Sequence, residues 1–320
     1  MIVETLTSPV ILFFILGFLA AVIRSDLTIP EPFAKAMSIY LMAAIGLKGG
    51  VEVASTGFTT ELATAAAAGL ALSFTLPVIA FYLLKTIGKL GPIDAGAVSA
   101  HYGSVSVVTF VTAIELLTNQ GLKPDGFMVA VMALMETPAI ITGLLLVRAA
   151  SAKTTSADNS GNNLAHEVLT NGSVVLLIGA FLIGMIAGEE GFAPVKPLFD
   201  VGFKGVLCLF LLDMGLLAAR RLLQSRKVTF SLAVLGIALP IINGVIGTLL
   251  GTFIGLDIGS AAIMGVLAAS ASYIAVPAAM RLALPQADPG IYLSMSLGIT
   301  FPFNIIFGIS LFTAIAKTLG

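Results

Sequence analysis

Apolar runs separated by short polar joints repeat along almost the whole chain, at 6–24, 30–50, 61–86, 94–118, 125–149, 171–188, 197–220, 228–254, 258–283 and 289–317. A helix needs roughly 20 mostly apolar residues to cross a bilayer, so the pattern predicts ten membrane-spanning helices. Most joints hold Gly, Pro or charge, as at Ser25-Asp26, Gly88 to Pro92, Gly121 to Asp125 and Leu284 to Pro289. One joint differs: Ala150 to Thr170 is polar throughout and reads as a flexible surface linker. It divides the chain into a first unit, 1–149, a linker, 150–170, and a second unit, 171–320, with five spans on either side.

The two units carry matching punctuation. Pro77 and Pro240 lie 163 residues apart in the third and eighth spans, and Asp94-Ala-Gly96 and Asp257-Ile-Gly259 open the fourth and ninth at the same spacing. Ser104-Val-Ser106 and Ser270-Ala-Ser272, 166 apart, interrupt those spans. Gly126 and Gly290 open the fifth and tenth, and Pro138 and Pro302 break them, both pairs 164 apart. Because each unit holds an odd number of spans, the second enters the membrane upside down. An inverted repeat of this kind is how secondary transporters build two gates around one central site.

Composition supports a lipid-facing surface: 58% of residues are apolar, 10% are charged and the mean hydropathy is +1.07. There is no Trp, so an interfacial aromatic belt rests on Phe and five Tyr. A net charge of −1 argues against nucleic acid as a partner. Cys208 excludes a disulfide framework and reads as apolar filler. Glu4 stands where a signal peptide carries Lys or Arg, so Met1 to Ala21 is expected to be a first span. Eleven basic residues (Arg24, Lys35, Lys85, Lys89, Arg148, Lys153, Arg220, Arg221, Arg226, Lys227, Arg281) fall on one side, and five (Lys48, Lys123, Lys196, Lys204, Lys317) on the other. The richer side is cytoplasmic by the positive-inside rule, which places both termini outside and the linker inside.

Backbone groups freed inside a membrane must line a protein-enclosed cavity. The fourth span at His101-Tyr102-Gly103-Ser104-Val105-Ser106 and the ninth at Ser270-Ala271-Ser272-Tyr273 are the places where this is expected. If both helices unwind and cross there, two half-helix N-termini point their positive ends at one place, suited to a small anion. The plain alternative is that these Ser residues bond the preceding turn or ease helix packing. Intramembrane acids are the second signal, since a charge at mid-bilayer costs about 2.5–3.5 kcal/mol or more. Glu136, beside Thr137-Pro138, could hold Na⁺ with carbonyls freed by the kink, and Thr300 and Asn304 offer hydroxyl and amide oxygens in the matching stretch. Asp213 in the seventh span is the other acid, which Lys204 or a loop Arg could neutralise. His101 could relay protons, but with His166 in the linker the sequence holds no metal-ligand cluster, and no cofactor is expected.

The stretch Ala268 to Pro302 resembles the sodium-dependent bicarbonate transporter family of cyanobacteria and its bacterial permease relatives. Ile45 to Gly50, Gly103 to Ser106 and Glu136 to Pro138 match in the same order, so that the resemblance covers essentially the whole chain. It implies a bacterial inner-membrane, all-α protein of ten helices in two inverted five-helix repeats, with broken crossing helices like those of bile-acid symporters and sodium antiporters. Spans 3–5 and 8–10 would form a moving core, and spans 1, 2, 6 and 7 a gate. It further implies Na⁺-driven bicarbonate symport, a homotrimer and a PII-like regulatory partner on the cytoplasmic side. Carried over by position, Ser104, Ser106, Ser270 and Ser272 fall on the substrate region and Glu136 on an acidic position of the fifth span. The chain departs from the cyanobacterial pattern at Tyr273, Ala275 and Val276, where the family has Asp, Ser and Gly. The competing reading is cation/proton antiport through Glu136 and Asp213. An intramembrane enzyme would need a nucleophile and base that the lone His101 does not supply.

Overall fold

The computed structural model describes residues 7–57, 59–136, 138–151, 172–224 and 227–320. Among these, every regular element is a helix: α1 (Pro9–Val22), α2 (Glu31–Thr56), α3 (Thr60–Thr86), α4 (Pro92–Gly103), α5 (Val107–Asn119), α6 (Met128–Glu136), α7 (Pro138–Ser151), α8 (Gly172–Phe192), α9 (Phe203–Gln224), α10 (Phe230–Phe253), α11 (Ile258–Ala269), α12 (Ala275–Ala283) and α13 (Pro289–Leu319). Most of the expected linker lies outside the described residues, as does Thr137.

Among the described residues, seven helical stretches are long and apolar enough to cross a membrane, α2, α3, α10 and α13 included, while α1 and α11 are shorter apolar helices. The ten expected spans are thus matched in part; α11 ends where the chain turns extended at Ser270, and α8 is kinked at Gly188, where φ is +58°. Large apolar side chains face outward: Ile186, Phe230 and Phe253 are 86%, 85% and 89% exposed. In water such a surface would aggregate; against lipid it is the expected exterior. The molecule is a multi-pass α-helical membrane protein.

Helix starts follow the polar joints. Thr59 and Thr229 cap α3 and α10 by accepting the Leu62 and Leu232 N–H groups at 3.3 and 3.4 Å. Pro240 stands inside α10 and supplies no N–H to the Gly236 carbonyl one turn back. The Thr300 hydroxyl from α13 donates to that carbonyl at 2.6 Å, so the helix passes through the proline unbroken.

Two crossings depend on glycine. In the pair α1 and α9, a Cβ on Gly17 would lie 2.0 Å from the Leu212 carbonyl oxygen, and one on Gly215 would lie 2.1 Å from that of Phe14. In the pair α2 and α8, Gly50 and Gly184 stand in the same relation to Phe181 and Leu47, at 1.9 and 2.2 Å. Backbones this close are the small-residue packing of membrane helices. Elsewhere α3 packs on α4 and α7, and α10 on α11.

The joints at the two membrane faces are pinned differently. At one face the Asp288 N–H donates to Asp94 Oδ1 at 2.8 Å, and the Asp288 carboxylate pairs with Lys227. At the other, the Asp125 N–H donates to Ser260 Oγ at 2.9 Å, in the joint ahead of the span that the structure begins at Met128. Lys227 holds the Asp288 carboxyl below the usual carboxylate range, whereas burial and then the neighbouring Asp257 push Asp125 above it. The signs follow from proton binding. Asp288 contributes stability that is lost as pH falls through its lowered value. Asp125 binds its proton more tightly when folded, so stability falls as pH rises from the usual carboxylate value to the raised one. In thermal melts of the detergent-purified protein between about pH 4 and pH 8, Asp125→Asn is expected to raise the midpoint at neutral pH, with the gain shrinking in acid. Asp288→Asn is expected to lower it modestly, because its ion pair is largely exposed, and the loss should also shrink in acid. Parallel pH curves for parent and variants would contradict both assignments.

Candidate functional site

Both interruptions fall where hydroxyl residues cluster. After α4 the chain is extended at Ser104 (φ −95°, ψ 163°) and re-enters helix behind Ser106, whose Oγ accepts the Thr109 N–H at 3.3 Å. After α11 it is extended at Ser270 (φ −75°, ψ 159°) and re-enters at Ala275. The first-turn N–H groups of α5 and α12 have no acceptor within their own helices, and together they provide two positive helix ends inside the membrane.

The two interruptions touch directly. The Ser272 N–H donates to the His101 carbonyl at 3.0 Å, and His101 Nδ1 donates back to the Ser272 carbonyl. The Ser106 N–H donates to Ser270 Oγ at 3.0 Å, and Ser270 Oγ donates on to the Leu267 carbonyl at 2.8 Å. The carbonyls at the ends of both first halves are also taken: Asn243 Nδ2 donates to Tyr102 O at 3.1 Å and Asn304 Nδ2 to Ala269 O at 2.8 Å. His101 is fully buried, stacked on Tyr292 at 4.8 Å, and fixed as the Nδ1–H tautomer by its bond to a carbonyl. It thus serves as a strap between the crossing segments.

Beside the crossing is a cavity of 10 Å³, room for one water molecule. It is lined by Val105, Ser106, Val107, Glu136, Ser272, Tyr273 and Ile274, with Met42 from α2. Glu136 is 3% exposed, and among the described residues no donor or cation reaches its carboxyl. The Tyr273 hydroxyl lies toward Ser106 but makes no hydrogen bond of good geometry.

Of the residues expected from the sequence, Val105, Ser106, Ser272, Tyr273 and Glu136 meet at this cavity. Gly103, Ser104, Ser270 and Ala271 belong to the same crossing without lining it. A Cβ at Gly103 would lie 2.2 Å from Cγ of Pro77, so glycine lets α4 end against that proline. Ser104 Oγ donates to the Glu136 carbonyl at 3.0 Å and so positions the acid's backbone. Thr300 and Asn304 are not among the lining residues. Thr300 links Gly236 to the Tyr102 hydroxyl, which donates to it at 2.7 Å, and Asn304 holds the end of α11. Asp213 lies on α9 and Glu115 on α5, away from the lining; Lys204 pairs with Glu115 at 2.8 Å rather than with Asp213. Sequence reasoning missed Met42, Val107, Ile274 and Asn243. Only Asn243, a buried amide in an otherwise apolar span, carried a readable signal.

No curated protein matches the chain. The profile of the Na⁺-dependent bicarbonate transporter superfamily matches residues 9–317, which takes in both interruptions, Glu136 and nearly every described helix. On that match the chain belongs to the Na⁺-dependent bicarbonate transporter superfamily.

Proposed function

We propose that this protein is a secondary active symporter that moves bicarbonate, or a similarly small anion, together with Na⁺ across the bacterial inner membrane by alternating access. The observation that carries the reading is the Glu136 carboxyl, buried and without a partner among the described residues, beside two crossing half-helix N-termini. The helix ends and the Ser106 and Tyr273 hydroxyls supply donors for an anion, and the carboxylate supplies an acceptor for a cation. An anion bound beside Na⁺ offsets its charge, so each ion favours the other. With one ion of each kind the cycle is electroneutral, and a tenfold Na⁺ gradient supplies about 1.4 kcal/mol. Membership in a transporter superfamily points to transport and away from catalysis.

The architecture in this proposal is ten spans in two inverted five-helix repeats, residues 1–149 and 171–320, with both termini outside. It is supported by the pairing of α1 with α9 and of α2 with α8 through Gly17, Gly215, Gly50 and Gly184. Exchanging the first span for the sixth and the second for the seventh turns one pair into the other. Gly17 then falls near Gly184 and Gly50 near Gly215, at offsets of 167 and 165 residues. In the assignment of a moving core and a fixed gate, Lys204–Glu115 (2.8 Å) and Lys123–Glu52 (2.9 Å) join the two bodies at the outer face. The homotrimer and the PII-like partner remain part of the family-based proposal. The antiport reading would place two exchanging carboxylates together, and among the described residues Glu136 is the only carboxyl lining the cavity.

The test is uptake of labelled bicarbonate, acetate and pyruvate into proteoliposomes with and without an inward Na⁺ gradient. Bicarbonate accumulation that follows the Na⁺ gradient is the expected result. Uptake unchanged when choline replaces Na⁺ would refute symport, and pH-driven Na⁺ efflux without any anion would establish the antiport reading instead.

A further inference from the structure

The cavity beside the crossing is too small for the cargo just proposed. At 10 Å³ it holds one water molecule, whereas bicarbonate has several heavy atoms. Something lining it must give way on loading, and the two serines are too small to free that volume. Tyr273 is the large side chain of the interruption itself, and in a well-packed membrane interior its phenol fills the space between Ser106 and the wall of α13. Its ring rests edge-on against Phe301 at 5.2 Å, which in turn packs edge-on against Phe14 of α1 at 5.5 Å. The ring thus rests on aromatic contact, while among the described residues its hydroxyl is buried without a well-formed hydrogen bond. A buried hydroxyl in that condition is unfavourable, and an anionic acceptor arriving at the cavity relieves it.

We infer that Tyr273 is the specificity-determining residue of this transporter. Its phenol occupies the anion's volume in this conformer, turns aside on loading, donates one hydrogen bond to the bound anion, and by its bulk sets the upper size limit of the cargo. The inference rests on the reading above that the crossing holds a small anion.

The test compares parent, Tyr273→Phe and Tyr273→Ala in proteoliposomes under an inward Na⁺ gradient, with labelled bicarbonate, acetate and pyruvate as cargo. Ligand-induced thermal stabilisation in detergent reads binding separately from transport. The Phe variant keeps the bulk and loses the donor, so KM for bicarbonate is expected to rise roughly tenfold or more, with the exclusion of pyruvate retained. The Ala variant removes the bulk, and is expected to take up and be stabilised by pyruvate, which the parent rejects. If the parent moves bicarbonate and both variants keep its KM and its anion range, Tyr273 does not set specificity and the symport reading stands. If the parent moves no bicarbonate, the symport reading and this inference fall together. Should the Ala variant aggregate on size exclusion, the KM of the Phe variant decides alone.

Discussion

Glu136→Gln is expected to remove Na⁺ dependence and to lower bicarbonate uptake at sub-saturating Na⁺ by roughly a hundredfold or more. The substitution keeps shape and one carbonyl-type oxygen and deletes only the charge. In a buried protein site, where the effective dielectric is near 20, a unit charge about 4 Å from Na⁺ is worth about 4 kcal/mol, close to a thousandfold in affinity. The amide oxygen recovers part of this, hence the smaller figure. No Lys or Arg lines the cavity, and among the described residues none pairs with this carboxyl, so the lost charge has no nearby substitute. Glu136→Asp keeps the charge on a shorter stem and should restore part of the Na⁺ dependence with a raised Na⁺ half-saturation. The Gln and Asp variants should melt close to the parent, since the side chain makes no hydrogen bond among the described residues. Uptake by Glu136→Gln with the parent's Na⁺ curve would exclude Glu136 as a cation ligand and return it to a packing role.

Why the sequence revealed some of this and not the rest can be traced to particular residues. Lipid as solvent imposes a run length, so the spans are visible wherever a helix is unbroken, as in α3 and α10. Span ends were harder. Nothing in the Met128 region says that the joint holding Asp125 runs to Phe127, and the kink at Gly188 is one glycine among 33. The interruptions were legible because Gly103-Ser104 and Ser270 offer the backbone hydrogen-bonding alternatives to helix. The destination of each hydroxyl was not. Nothing around Thr300 in the sequence says that its hydroxyl meets the Gly236 carbonyl left free by Pro240, sixty residues earlier. Met42 and Ile274 reach the cavity only through packing between distant spans, and an apolar residue in an apolar run gives no sign of which neighbour it will meet.

The largest effect on stability is expected from Gly50→Ala. The added Cβ would stand 1.9 Å from the Phe181 carbonyl oxygen, where carbon–oxygen contacts settle at about 3.3–3.6 Å. The obstacle is backbone on a packed helix, so no side chain can swing away. The α2–α8 pair must instead separate by more than about 1 Å, losing close contacts along the crossing. Overpacking of this kind costs about 1–3 kcal/mol and occasionally more, which should appear as a clear drop in the melting midpoint and in monodisperse yield. Gly179→Ala is the control on the same helix. Its Cβ meets nothing within 4 Å, and removing a helical glycine should leave stability unchanged or improve it by up to about 1 kcal/mol. Two double variants then probe the paired geometry. Gly184→Ala strains the same crossing, so the separation forced by Gly50→Ala already relieves much of the second clash, and the pair should destabilise by less than the sum. Gly17→Ala strains the α1–α9 crossing, which has its own carbonyl contact, so its effect should add to that of Gly50→Ala. Full additivity at Gly50 and Gly184 would mean that these two glycines do not share one interface.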